Sequence, residues 1–308
     1  MSPTNTTGPT GRTGVPPEMH APLAALGGGF NLPQVQALYA PLLARQPTDG
    51  VALHADQAYG PHPRHRLDVY RPTAAAPGAP VLVVLHGGGF IRGDKSHKAN
   101  AGWCFARQGF VTVLPNYRLA PESRWPSGPE DVAAVLAWLH THIAGLGGDP
   151  ARVVLMGESA GAAHVAAAVL MRRFGVHQGA GIRGAVLCSG PYHARLERLS
   201  RDAFGIDTPD PRNDAYFGTD DPEALRACST ALQVDAAPFP LLISTAERDL
   251  LQMQVQAGEL FARLAGEHGF TPELLQLPHH NHFSQTQALN TGDDSLAGPV
   301  ADFVRRHA

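Results

Sequence analysis

Ser159 stands in GESAG, residues 157–161, between a short β-rich run, VVLM at 153–156, and a helical run, AAHVAAAVLM at 162–171. A serine at the tip of a strand-to-helix turn is held in a strained conformation with its hydroxyl above the sheet. Glycines two residues to either side, Gly157 and Gly161, are needed there because side chains would collide within the turn. This pattern makes Ser159 a candidate nucleophile for acyl transfer. With 33 glycines in the chain a chance G-x-S-x-G is easy to find, but chance would not supply the flanking strand and helix as well. A second glycine-rich segment, HGGGF at 86–90, directly follows the apolar run VLVVL at 81–85. Consecutive glycines let backbone N–H groups point into a site, and the oxyanion of a tetrahedral intermediate needs such donors. Losing one typically costs about 3–4 kcal/mol. A phosphate-binding loop is the competing reading. It fails because no Lys-Ser/Thr follows the glycines and Arg92 stands where a dinucleotide fingerprint needs its third glycine.

A nucleophilic serine needs a base and an acid to orient that base. Downstream of Ser159, LLISTAERDLL at 241–251 offers Glu247 and Asp249, and QLPHHNHFSQ at 276–285 offers His279, His280 and His282. Three imidazoles within four positions also suit zinc, yet Phe283 and Ser284 follow where acidic or further histidine ligands would be required. No metal is expected, and His279 and His280 read as surface histidines.

The elements that must carry these residues are legible as an alternation. Residues His65 to Tyr70 alternate polar and apolar, and VLVVL, VTVL at 111–114, VVLM, AVLC at 185–188, LLIS at 241–244 and ELLQL at 273–277 are strand-like runs. Helical patterns lie between most of them: Asn100 to Arg107, Glu130 to His142, Ala160 to Arg172 and Leu250 to His268. Strands that are apolar throughout suit burial on both faces, so the pattern predicts a mostly parallel α/β sheet flanked by helices. Between Leu23 and Leu43 a helical spacing interrupted by Pro33 and Pro41 suggests short helices. The stretch from His193 to Ala237 is too long for a plain connection and reads as an insertion over the C-terminal edge of the sheet. The expected organisation is a disordered tail over 1–17, poor in apolar residues, and one domain over 18–308 with cap elements at about 18–50 and 193–237.

Composition narrows the function. The chain has 308 residues, 44% of them apolar and 17% charged, which provides for a sizeable core. A net charge of −3 without a basic run argues against nucleic acid as a partner. No apolar run approaches the ~20 residues of a membrane span. The N-terminal MSPTNTTGPTGRTG lacks the charged and apolar regions of a secretory leader, so a cytoplasmic location is expected. Cys104, Cys188 and Cys228 have no pairing or zinc spacing and read as free thiols.

Taken together, HGGGF, GESAG and NYRLAPESRWPSGPEDVAAVLAWL at 116–139 resemble the hormone-sensitive-lipase-like branch of the α/β-hydrolase superfamily, the carboxylesterases with an HGGG loop. The resemblance runs from about Val81 to the C-terminus. It implies an α/β-hydrolase fold, Asp249 as the acid and His282, followed by Phe283, as the base. It also implies oxyanion donors from the N–H groups of Gly88, Gly89 and Ala160, with His86 orienting the loop. His164, three residues beyond Gly161, resembles instead the related arylformamidase-like enzymes. The expected activity is hydrolysis of short-chain carboxylic esters by a serine carboxylesterase, without a cofactor and on a small-molecule ester. An arylformamidase or other amidase with the same triad, and a non-catalytic small-molecule receptor, are the alternatives.

Overall fold

In the computed structural model of the chain, residues 13–74, 77–176, 181–196, 211–236 and 240–308 are described. Their strands are β1 (Val51–Ala58), β2 (Arg66–Pro72), β3 (Ala79–Leu85), β4 (Val111–Pro115), β5 (Gly148–Glu158), β6 (Ile182–Cys188), β7 (Leu241–Arg248) and β8 (Glu273–Asn281). All join one sheet in the order β1-β2-β4-β3-β5-β6-β7-β8. β2 runs antiparallel to both β1 and β4, and every pairing from β4 to β8 is parallel. The helices are α1 (Pro17–Leu26), α2 (Leu32–Leu43), α3 (Ala99–Arg107), α4 (Ser127–His142), α5 (Ala160–Leu170), α6 (Pro211–Phe217), α7 (Pro222–Cys228), α8 (Leu251–His268), α9 (Ser284–Gln287) and α10 (Ala297–His307).

Because side chains alternate across a strand, an apolar run such as β3 feeds two cores at once. Val81, Val83 and Leu85 pack with Val135 of α4, Val165 of α5 and Leu260 of α8, whereas Leu82 and Val84 pack with Phe105 of α3 and Phe303 of α10. The sheet is thereby covered on both faces, as the apolar runs predict. The chain leaves β3 for β4 on one side, while β5 lies on the other, pairing Leu85 with Gly157. A crevice at the C-terminal ends of the strands forms where connections diverge in this way. Here it brings the loop after β3 against the turn after β5.

Several local expectations are revised. β1, which is not among the strand-like runs read from the sequence, lies at the sheet edge with Leu53 43% exposed. Pro33 and Pro41 do not interrupt α2. Pro33 sits in the first turn, where no N–H is needed, and Pro41 lies in the last turn. Of the stretch 1–17, residues 1–12 lie outside the described residues, and the remainder is held in place. The Thr13 hydroxyl donates to the Gly292 carbonyl at 2.7 Å, the Asp294 N–H donates to the Thr13 carbonyl at 2.8 Å, and Val15 packs with Met19, Leu23, Val35 and Tyr39. Residues 197–210 and 237 of the expected insertion also lie outside the described residues, while α6 and α7 fall within it. Among the described residues no helix is long and apolar enough to cross a membrane.

Candidate active site

The turn after β5 places Ser159 at φ 53° and ψ −121°, a conformation that L-residues rarely adopt and that costs of order 1–3 kcal/mol. The flanking glycines permit it. A Cβ on Gly157 would meet the Gly161 carbonyl oxygen at 2.3 Å, and one on Gly161 would meet the carbonyl oxygens of Leu85 and His86 at 2.6 Å. The turn therefore sits directly against the end of β3. The Ser159 N–H donates to the Cys188 carbonyl at 2.8 Å, fixing the turn to β6, and α5 begins at the next residue.

His282 Nε2 lies 3.1 Å from Ser159 Oγ, and its Nδ1 lies 2.7 Å from Asp249 Oδ1. With Nδ1–H donating to the carboxylate, Nε2 is left as the acceptor for the serine hydroxyl. Asp249 follows β7 and is 4% exposed. It accepts the Leu250 N–H at 2.8 Å on one oxygen, and the Ala246 N–H at 3.0 Å and the Ser189 hydroxyl on the other. Burial pushes this carboxyl up, but His282, Ser189 and the Ala246 N–H outweigh it and hold the pKa below the ordinary aspartate value. Gln285 closes the circle, donating to Ser189 Oγ at 2.8 Å and to the His282 carbonyl at 3.0 Å.

In the loop after β3, His86 is buried against Tyr117, ring centroids 4.3 Å apart, and its Nδ1–H donates to the Gly87 carbonyl at 2.7 Å. Burial pushes its pKa down to about 4, so it stays neutral. Gly88 has φ 135°, and a Cβ there would overlap the Arg92 carbonyl oxygen at 1.9 Å. The loop has room only for glycine. Gly88, Gly89, Ala160, Ser159 and His282 all line one cavity of about 190 Å³. Phe30 just before α2, Leu32 at its start, Leu250 and Met253 at α8 and Phe283 form its apolar walls, and α6 contributes Arg212 and Asn213.

A hydroxyl, an imidazole and a carboxylate in this sequence of hydrogen bonds, beside a glycine loop, can attack a carbonyl and hold the resulting oxyanion. A model of the alpha/beta hydrolase fold matches residues 82–285, which takes in the glycine loop, the serine turn, the acid and the histidine. The chain belongs to this family. The HGGG loop and the GESAG turn put this α/β hydrolase in the hormone-sensitive-lipase-like carboxylesterase branch.

It is 27% identical over 262 residues to "Esterase LipQ" of Mycobacterium tuberculosis, an alignment that covers 81% of this chain and 61% of that protein. It is also 38% identical over 115 residues to "Probable isoprenylcysteine alpha-carbonyl methylesterase ICMEL1" of Oryza sativa subsp. japonica, covering 37% of this chain and 27% of that one. The chain thus spans between about a quarter and three fifths of these relatives. The solved structure titled "Bacterial Heroin Esterase" superposes with a TM-score of 0.72 at 28% identity, over 93% of this chain and 96% of that one.

Within this α/β hydrolase the three neighbouring histidines face three different environments. His279 stacks on His20 at 4.0 Å between ring centroids. His280 is not a surface residue. It is fully buried, with Nδ1 3.0 Å from Ser284 Oγ, Nε2 2.8 Å from Ser295 Oγ and Asp293 at 3.2 Å. Alternation along β8 turns it inward, while His282 lies beyond the strand's end. His280→Ala leaves Asp293 buried with one partner fewer, and a loss of about 3 kcal/mol is expected, lowering Tm by roughly 5 °C. His279→Ala should move Tm by less than about 3 °C. Equal shifts in a thermal melt would contradict this assignment.

Glu247, the alternative acid, is exposed and accepts the His279 N–H at 2.6 Å. It does not line the cavity. His164 does not line it either. Its ring is buried beside Tyr117, Phe90 and Tyr216, and burial pushes its pKa down to about 3. Motif reading does not single out Ser189, Gln285, Lys98 or Thr286, all of which hold the site through contacts distant in sequence. Glu158 was within reach as the variable residue of GESAG.

Proposed function

We propose that this α/β hydrolase is a serine carboxylesterase that cleaves short-chain carboxylic esters through an acyl-enzyme. The observation that carries the proposal is the unbroken chain from Ser159 Oγ to His282 at 3.1 Å and on to Asp249 at 2.7 Å, opening into a cavity lined by the glycine loop. Neutral His282 takes the hydroxyl proton as Ser159 Oγ attacks the ester carbonyl. The imidazolium is stabilised by Asp249, and the oxyanion is met by the N–H groups of Gly88, Gly89 and Ala160. The imidazolium then protonates the departing alcohol oxygen, the C–O bond breaks, and the acyl group remains on Ser159. Water, deprotonated by the same imidazole, attacks the acyl-enzyme and releases the acid. Because the base works only when neutral, kcat/KM rises with pH as the imidazole loses its proton.

The relatives reported above carry esterase names, and none carries an amidase name, which supports an ester as the substrate. A complete triad beside an oxyanion loop also favours turnover over mere binding. The cavity of about 190 Å³ is little larger than the roughly 150 Å³ that holds a benzene ring, and Phe30, Leu32, Leu250, Met253 and Phe283 give it an apolar side. Acetyl to hexanoyl chains fit such a space, whereas a palmitoyl chain must extend beyond it. In a series of p-nitrophenyl esters from acetyl to palmitoyl, kcat/KM should be highest at hexanoyl or shorter. A higher kcat/KM on emulsified long-chain triglyceride would overturn this substrate class.

A further inference from the structure

Next to Ser159 lies a charge pair that the mechanism above does not use. Lys98, just before α3, and Glu158, the last residue of β5, are 5% and 6% exposed, and both line the cavity. Lys98 Nζ is in contact with Glu158 Oε2 and donates to Thr286 Oγ1 at 2.8 Å, and the Thr286 hydroxyl in turn donates to Glu158 Oε1 at 3.0 Å. The Gly87 N–H, at the start of the oxyanion loop, points to Glu158 Oε2 at 3.3 Å. Asn100 grips the same turn from a second point, donating to the Thr286 carbonyl at 2.8 Å. One closed cluster therefore touches the oxyanion loop, the residue before the nucleophile and the α9 turn that follows His282.

We propose that Lys98 and Glu158 are positioning residues for ester hydrolysis. Together they clamp the oxyanion loop, the serine turn and the histidine loop in one geometry, and their opposite charges balance the field at His282. The inference rests on the reading of His282 as the base. Burial pushes the Glu158 carboxyl up, but Lys98 outweighs this and, with a further contribution from His282, holds it ionised. His282 lines the same cavity as Lys98 and Glu158 and bonds the residue next to Glu158, which puts it within electrostatic reach of the pair. Among the described residues the other titratable groups around it are Asp249 on its Nδ1 side, the neutral His86 in the loop, and Arg92, His97 and Arg212, which line the same cavity. His280 faces away, toward Asp293.

The signs follow from charge. Glu158→Gln leaves a cation facing His282, disfavours the imidazolium and moves the acid limb of kcat/KM to lower pH. Lys98→Met leaves an anion and moves the limb to higher pH. Each shift should be about one pH unit. The double variant Lys98→Met/Glu158→Gln carries neither charge, so its limb should return to the wild-type position. Its kcat should still be lowered about tenfold or more with KM within about twofold, because the clamp on Gly87 and the α9 turn is weakened.

The test is the pH profile of kcat/KM on p-nitrophenyl butyrate for all three variants, after circular dichroism has confirmed folding. The proposal stands if at least one folded single variant shifts its limb in the stated direction and the shift vanishes in the double. It falls if the folded singles leave the limb in place or move it the other way, or if the double shows wild-type kcat. Replacing one member of a buried pair can prevent folding. Should neither single fold, the kcat of the double variant decides, since removing both charges avoids an unpaired buried ion. His282→Ala separates the two readings. Should that variant keep the acid limb, the base assignment fails. Should it lose the limb while the pair variants behave as wild type, only the role of Lys98 and Glu158 fails.

Discussion

Replacing Ser159 with alanine is expected to lower kcat on an activated ester by about 10⁶-fold, and to abolish labelling by a fluorophosphonate probe. Size of effect and specificity have the same origin. The Ser159 hydroxyl lies 3.1 Å from His282 Nε2 and is the group proposed to form the acyl-enzyme, so removing it leaves the imidazole, the carboxylate and the proposed oxyanion donors without a bond to make. A residual rate of about 10³–10⁴ over water should persist from those donors and from binding. The fold should not suffer. Alanine keeps the Cβ, so the turn at φ 53° is no more strained than before, and the Ser159 N–H still bonds the Cys188 carbonyl. Thermal melting within a few degrees of wild type, together with loss of activity, is the expected pair of results. Covalent labelling of any other residue would move the nucleophile elsewhere.

Asp249→Asn should cost about 10⁴ in kcat, whereas Glu247→Gln should cost less than about threefold. An asparagine side chain at 249 no longer requires the proton on His282 Nδ1, so the imidazole loses the tautomer that leaves Nε2 free for Ser159. It also offers a single acceptor oxygen where the carboxylate now receives the Ala246 and Leu250 N–H groups, the Ser189 hydroxyl and His282. Some loss of stability accompanies the loss of rate, and circular dichroism must separate them. The lowered native pKa of Asp249 means that its contribution to stability is present above the unfolded-state pKa and is lost as pH falls through the native one. Glu247 has no comparable role, being exposed and engaged with Arg248 and the His279 N–H. A larger loss in Glu247→Gln than in Asp249→Asn would show that the acid has been assigned to the wrong carboxylate.

Much of this protein is written locally in its chain. Strand–turn–helix flanks, paired glycines and an unbroken apolar run are short-range features, because backbone sterics and side-chain alternation act over a few residues. From them follow the parallel sheet, the position of Ser159 and the glycine loop, and the motifs they form carry the resemblance that points to Asp249 and His282. The structure brings these residues together from the ends of β3, β5, β7 and β8, four strands that the sequence orders but does not join. Sheet pairing across large sequence distances joins them, and it shows that His280, two positions before the site-facing His282, is buried rather than on the surface. The same holds for Ser189 with Gln285 and for Lys98 with Glu158 and Thr286. No spacing rule links residue 98 to residue 286, and a lysine after a glycine loop looks like any solvated charge until the fold encloses it. Burial turns such a residue from a surface cation into half of a buried ion pair, and burial is a property of the packed whole rather than of any segment.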